Sequence, residues 1–547
     1  MSQTLFSADL TDWTYDRLLR WRATETPDRA FLSFQGDAYE TYGETWERVF
    51  ALARGLKAQG VKPGDRVATF APNCRVAIHL WLALNLLGAT DAPINPAFRG
   101  QPLAGVINML DVSMIVAECG LLPVLRDIED DLPRLSDVIC FSAEQASADA
   151  VQFKRLRLTQ LSPVDDAPDG WQPPGAAFNH ISSILMTSGT SGPSKGVMVP
   201  HAQAILIAQH SVSGMQVEQN DVFYCAHPIF HMSPRYCVFT AAMLTGARVW
   251  FDGSFQADRW LDRIREAGAT VTIGHGPLLE MIFAQPERAD DADNPLKRLG
   301  TSPFPKHIAE AFERRFAMKG VETWGMTEVG IPCWHPYDEP LRPGSCGKIH
   351  DDWYEFRVVD PETDIEVPPG VVGEFVIRPK HPSTIMQGYF GRPDATVEAW
   401  RNLWFHSGDG GYIDAEGWVY FVDRLKDRIR RRAENISSFD IECAALKYPG
   451  ITEAAAVGVP SGFAGDDDVK LCIATASGAS VEARDLIAYL AKSLPHHMVP
   501  RYIEFLPALP RTPTTKIQKS VLRASGVRDE TWDRKAAGIE LRNLVHS

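Results

Sequence analysis

Residues 185–201 read LMTSGTSGPSKGVMVPH, with five hydroxyl side chains, three glycines and Lys195 set between apolar runs. Glycines let backbone approach a ligand and turn N–H groups inward, hydroxyls add donors, and a lysine adds positive charge. Thr187, Ser188, Gly189, Thr190, Ser191, Gly192 and Lys195 together suit a polyphosphate such as ATP. This is not a Walker A loop, because Pro193 and Ser194 separate Gly192 from Lys195 where that loop joins glycine directly to lysine. Composition alone also suits a Gly/Ser-rich surface loop.

Other segments carry chemistry of matching kind. TWGMTEVG (323–330) combines Trp324 to stack a base, Gly325 to admit a phosphate, and the hydroxyl of Thr327 beside the carboxylate of Glu328, oxygens suited to holding Mg2+. Read alone, the Thr327-Glu328 pair is a helix start with an acidic first turn. FHSGDGGYID sets Asp409 between glycines, where an ionised carboxylate can accept both ribose hydroxyls; by itself it is equally a turn aspartate. The basic run 424–432 is short and flanked by Asp423 and Glu434, which makes it a solvated face rather than a nucleic-acid patch. Lys516 follows a Pro/Thr-rich loop, from which an ammonium can reach an anionic centre. His227 and His231 stand four apart, but Pro228 opposes the helix that would make them a metal pair. GHGPLL, from Gly274, holds half of a dinucleotide fingerprint and reads as a strand-to-helix turn lining a substrate pocket.

Taken together, TSGTSGPSKG, PIFHMSP, TWGMTE, HSGD and ENIS resemble the acyl-adenylate-forming superfamily, which includes acyl-CoA synthetases, peptide-synthetase adenylation domains and beetle luciferases. Their spacing is most similar to the crotonobetaine/carnitine-CoA ligase branch, and the resemblance covers nearly the whole chain. It implies an ATP-dependent, AMP-forming acid–thiol ligase with Mg2+, in which an acid becomes acyl-AMP and then acyl-CoA. The resemblance makes Glu328, with Thr187, the magnesium ligand and Thr327 a phosphate contact. Asp409 and Arg424 are implied to hold the ribose, and Lys516 to bridge substrate carboxylate and α-phosphate. Phe230, His231, Gly300, Thr301 and Ile331 fall on the acyl pocket, and Lys426 on an interdomain hinge. Three departures stand out: Ser407 for threonine, Thr515 for glycine, and Ala433 for a glycine whose loop approaches the pantetheine arm of CoA.

The elements that must position these groups are legible nearby. Thr41 and Glu44 form a capping box opening a helix to about Ala58, closed by Gly60, and KPGD then turns into the strand RVATFA. A helix from about Cys74 to Leu87 leads to ATDAPI, and PLAGVINML and SMIVAE repeat the alternation, predicting parallel strands with crossover helices. YIDAEGWVYFV predicts a hairpin turning at Gly417. Beyond it, a helix near 440–447, strands AAAVGV, VKLCIATA and YIEFL, and a helix over 481–492 predict a small α+β unit. The expected architecture is therefore α/β: a large N-terminal domain (1–425) of packed mixed and parallel sheets, and a small mobile α+β domain (426–547) carrying Lys516.

Global properties bound the function. A chain of 547 residues, 45% hydrophobic, fills more than one core. Its 69 acidic against 55 basic residues, net charge −14, oppose a sequence-independent grip on nucleic acid or an anionic membrane. Nine cysteines never form CxxC, which predicts neither disulfides nor a zinc site, and no apolar run is long enough to span a bilayer, so a soluble, cytoplasmic protein is expected. The kinase set of lysine, HRD and DFG does not occur. No carrier module follows, and no aspartate stands near PIFHMS to hold an α-amino group. Three readings stay open: a CoA ligase for a fatty, branched, ring-bearing or carnitine-like acid, an adenylating enzyme loading a separate carrier protein, and a non-catalytic nucleotide-binding relative. A homodimer is a further expectation.

Overall fold

A computed structural model describes residues 6–142, 151–164, 170–187, 195–425, 429–431, 434–436, 438–461, 467–511 and 517–541. The expected βα alternation builds a seven-stranded sheet. Its parallel part runs in space through Arg157–Gln160, Asp137–Phe141, Met114–Glu118, Arg66–Phe70, Thr90–Ile94 and Ile181–Thr187, and Lys195–Pro200 closes it antiparallel. The capping box forms as read: the Glu44 N–H donates to Thr41 Oγ1 (3.1 Å) and the Thr41 N–H to Glu44 Oε2 (2.8 Å), starting the helix Tyr42–Ala58. Gly60 follows at φ +97°, the left-handed region a side chain resists.

A nine-stranded sheet faces the first. Parallel strands Ala30–Phe34, Arg248–Phe251, Val222–Cys225, Val271–Gly274, Arg298–Thr301 and Lys319–Met326 form its body, Gly330–Trp334 and Lys348–Ile349 continue it antiparallel, and Glu40–Thr41 edges it antiparallel to Ala30–Phe34. Helices Arg75–Leu86 and His201–Met215 contact strands of both sheets. Buried at 10 of 12 and 13 of 15 positions, they are covered on every side, which explains why neither sequence shows a polar face. The main core is the apolar filling of this sandwich.

Strands Tyr354–Val359, Gly373–Pro379, Phe405–Ile413 and Val419–Arg424 form an antiparallel sheet, with the Asp414–Trp418 turn and Gly417 at φ +83° as predicted. The C-terminal part is a smaller α+β unit with its own core: Ile451–Pro460, Asp467–Thr475, Tyr502–Phe505 and Trp532–Asp533 form a sheet packed by helices Ser438–Leu446 and Ala483–Ser493. Among the described residues, no helix is long and apolar enough to cross a membrane. No described cysteine is in a disulfide.

Candidate active site

Three hairpins present the residues singled out above. In the first, Thr187 pairs in register with Lys195. Ser188, Gly189, Thr190, Ser191 and Gly192 lie outside the described residues, as do Lys426, Ala433 and Lys516. The second hairpin pairs Met326 with Gly330, and Thr327–Val329 are its turn rather than the helix start their types suggest. Strand pairing wins because a Cβ at Gly325 would sit 2.4 Å from the Gly330 carbonyl oxygen; only glycine permits so close an approach. In the third, Asp409 lies opposite Arg424, with Oδ1 3.3 Å from Nε.

Side chains tie the hairpins together. Trp324 Nε1 donates to Asp409 Oδ2 at 3.0 Å, joining the second and third. The Trp324 ring is 4% exposed and packs edge-on against Phe356 and Phe375, so in this arrangement it braces Asp409 instead of offering an open stacking face. Tyr389 joins the first and second: its hydroxyl donates to Glu328 Oε1 (3.0 Å), and Lys195 Nζ lies 4.5 Å above its ring. The backbone of 386–390 supports this link, since Met386 N–H donates to the Glu328 carbonyl and Phe390 N–H to that of Gly196. Gln203, buried in the sandwich, donates to the carbonyls of Thr327 and Glu328 (2.9 and 3.2 Å). Tyr389 and Gln203 were not legible in sequence; a tyrosine after glycine in QGYFG is the sole local hint.

Burial pushes the Glu328 carboxyl above the usual carboxylate range, with Asp409 adding to the rise and Arg424 opposing it. A carboxylate held so far from water gains from a cation. Glu328, 5% exposed, and Thr187 carry oxygen donors of the kind Mg2+ would take.

The expected acyl wall comes from other elements. Phe230 and His231 are half-buried with ring centroids 4.3 Å apart. Gly300 and Thr301 end a parallel strand, and a Cβ at Gly300 would strike Met215 Sδ at 2.7 Å. Ile331 is buried on the strand beyond. The approach to His231 is clamped by residues the sequence did not flag. Asn73 donates to the His227 carbonyl (3.1 Å) and accepts from the Ile229 N–H (2.9 Å), and Arg235 donates to the Ile229 carbonyl (2.6 Å) while paired with buried Asp91 (2.5 Å). His227 is held neutral, pushed down to about 3 by burial. A small cleft lies alongside, lined by His227, Phe255, Trp260, Thr272 and Gly274 among others; it shares none of the five residues expected on the acyl wall. GHGPLL is the strand-to-helix turn it was read as, with His275 at the N-cap.

The α/β architecture recurs in solved structures. The ATP-bound MatB from Rhodopseudomonas palustris superposes with a TM-score of 0.81 at 23% identity, covering 93% of this chain and 98% of that one. An anthranilate CoA ligase in complex with anthranoyl-AMP gives 0.82 at 20% identity, covering 97% and 99%. In sequence, residues 19–390 match the AMP-binding enzyme family and residues 440–516 its C-terminal domain, and the chain belongs to that family of enzymes. It is 29% identical over 515 residues to a crotonobetaine/carnitine–CoA ligase of Proteus mirabilis, covering 90% of this chain and 95% of the relative. It is 29% identical over 506 residues to a feruloyl-CoA synthase of an Amycolatopsis species, covering 92% and 97%.

Proposed function

We propose that the protein is an AMP-forming acyl-CoA ligase. The observation carrying this reading is the convergence of three hairpins on one locus: Lys195, Tyr389 and Glu328 linked on one side, Trp324, Asp409 and Arg424 on the other. The first set suits a metal-bound triphosphate and the second a ribose, as a bound ATP requires. The names of the sequence relatives, CoA ligases for a quaternary-ammonium acid and an aromatic acid, support CoA as the acceptor.

Free carboxylates resist thiols because oxide is a poor leaving group. In the first step a carboxylate oxygen attacks the α-phosphorus of ATP and the bond to pyrophosphate breaks, giving acyl-AMP. In the second, the CoA thiolate attacks the acyl carbon and AMP departs. Lys195 and Lys516 would offset charge at the phosphates and carboxylate, and Asp409 with Arg424 would fix the ribose. Mg2+ held by Glu328 and Thr187 would neutralise the leaving pyrophosphate. A boundary near Lys426 would let the C-terminal domain reorient between the two steps.

The test offers purified protein with ATP and Mg2+ a panel of carboxylic acids, following pyrophosphate, then adds CoA and detects thioesters by mass. Pyrophosphate release with at least one acid, and a thioester of that acid, is expected. Silence across the panel overturns the reading; release with no thioester redirects it toward a carrier-protein acceptor.

A further inference from the structure

No local sequence spacing suggests a zinc site, yet folding assembles one set of suitable donors. Glu280 lies on the helix Gly276–Phe283, His307 in the turn before Ala309–Phe316, and Cys443 on Ser438–Leu446 in the C-terminal unit. One ligand atom from each lies within 4.8 Å of the other two. His307 Nε2 and Glu280 Oε1 are already 3.3 Å apart. All three residues are half-buried, and of the nine cysteines Cys443 is the one not fully buried, so an ion in solution can reach the cluster.

The donor types select the metal. Mg2+ and Ca2+ prefer oxygen throughout, whereas thiolate, imidazole and carboxylate in one cluster suit Zn2+. Tetrahedral bonds of about 2.0–2.3 Å put neighbouring ligand atoms about 3.3–3.8 Å apart. The Glu280 and His307 pair meets that spacing, and roughly 1 Å of side-chain rotation brings the thiol in. We propose that Glu280, His307 and Cys443 form a zinc site, water completing the fourth position, that fastens the C-terminal unit to the large sheet assembly. Resting on the proposed ligase reading, in which that unit must reorient, bound zinc favours the arrangement that binds it and slows turnover.

Full-length protein freed of metal by a chelator is titrated with Co2+ as a spectroscopic stand-in. A thiolate-to-cobalt charge-transfer band at one ion per chain, displaced by Zn2+, is expected. Cys443→Ser should abolish the band, and His307→Ala should weaken Co2+ binding at least tenfold, since losing even an outer partner of a ligand costs about 10–100-fold. Near-ultraviolet circular dichroism verifies that each variant is folded, and Glu280→Gln gives an independent second ligand test. No band in the parent, or the same band in Cys443→Ser, overturns the site. Zn2+ should slow thioester formation by the parent and spare Cys443→Ser; equal effects on both overturn the regulatory part. The absorption experiment needs no substrate, so its outcome is separable from that of the ligase assay.

Discussion

Tyr389 holds Glu328 through one hydrogen bond and faces Lys195 with its ring, so it can be tested apart from either partner. Tyr389→Phe keeps the ring and removes the donor. A hydrogen bond to an ionised group is worth about 1.5–3 kcal/mol, which predicts adenylation slowed roughly ten- to hundredfold, with little change in thermal stability. Pyrophosphate release under single-turnover conditions measures this; an unchanged rate would remove Tyr389 from the site. Asp409 was legible because glycines frame it, whereas Arg424 was singled out only through the family resemblance, its basic run reading by itself as a solvated face. The hidden partners Tyr389, Gln203 and Asn73 act through contacts far along the chain, which no local pattern records.

At the scale of elements, Gly347 joins the nine-stranded sheet to the antiparallel one: its carbonyl accepts from the Val419 N–H at 2.9 Å. It sits at φ +92°, and a Cβ there would lie 2.0 Å from the backbone of Trp334. Gly417 shares the positive φ (+83°) but has nothing within 4 Å. Gly417→Ala should therefore cost about 1 kcal/mol, the backbone term alone. Gly347→Ala must displace main chain, and is expected to cost more than about 3 kcal/mol or to prevent folding. Denaturant midpoints distinguish the two, and equal costs would refute the packing argument. Most helices and strands were readable because capping, turn and periodicity signals act within a few residues. The Thr327-Glu328 turn was not, because cross-strand pairing overrode the local preference for a helix start.

At the scale of the whole molecule, burial makes stability depend on pH from both sides. Burial pushes the Glu322 carboxyl up to about 8 from an ordinary 4.5, so the folded state holds a proton that the unfolded chain gives up. Its stabilising share is full below about pH 4.5, and is lost as pH rises toward 8, on the order of a few kcal/mol. His201 and His227 are pushed down from 6.5 to about 3, chiefly by burial. Their share is present above about pH 6.5 and is lost as pH falls toward 3. Glu322→Gln should remove the alkaline decline and leave the acidic one, read from melting temperature against pH. Parallel profiles for parent and variant would show that Glu322 does not titrate in this range.

The phosphate-loop composition, the capping box, the βα alternation and the Gly417 hairpin are properties of neighbouring residues, and the sequence alone determined them. Backbone hydrogen bonding, permitted φ values and side-chain alternation act over a few residues, so they can be read in order along the chain. Only the tertiary structure decided that Trp324 braces Asp409, that Tyr389 spans two hairpins, and that Cys443 meets His307 and Glu280. Those encounters depend on how sheets, helices and the C-terminal unit pack across more than a hundred residues of chain, where desolvation and steric fit, rather than spacing, choose the partners.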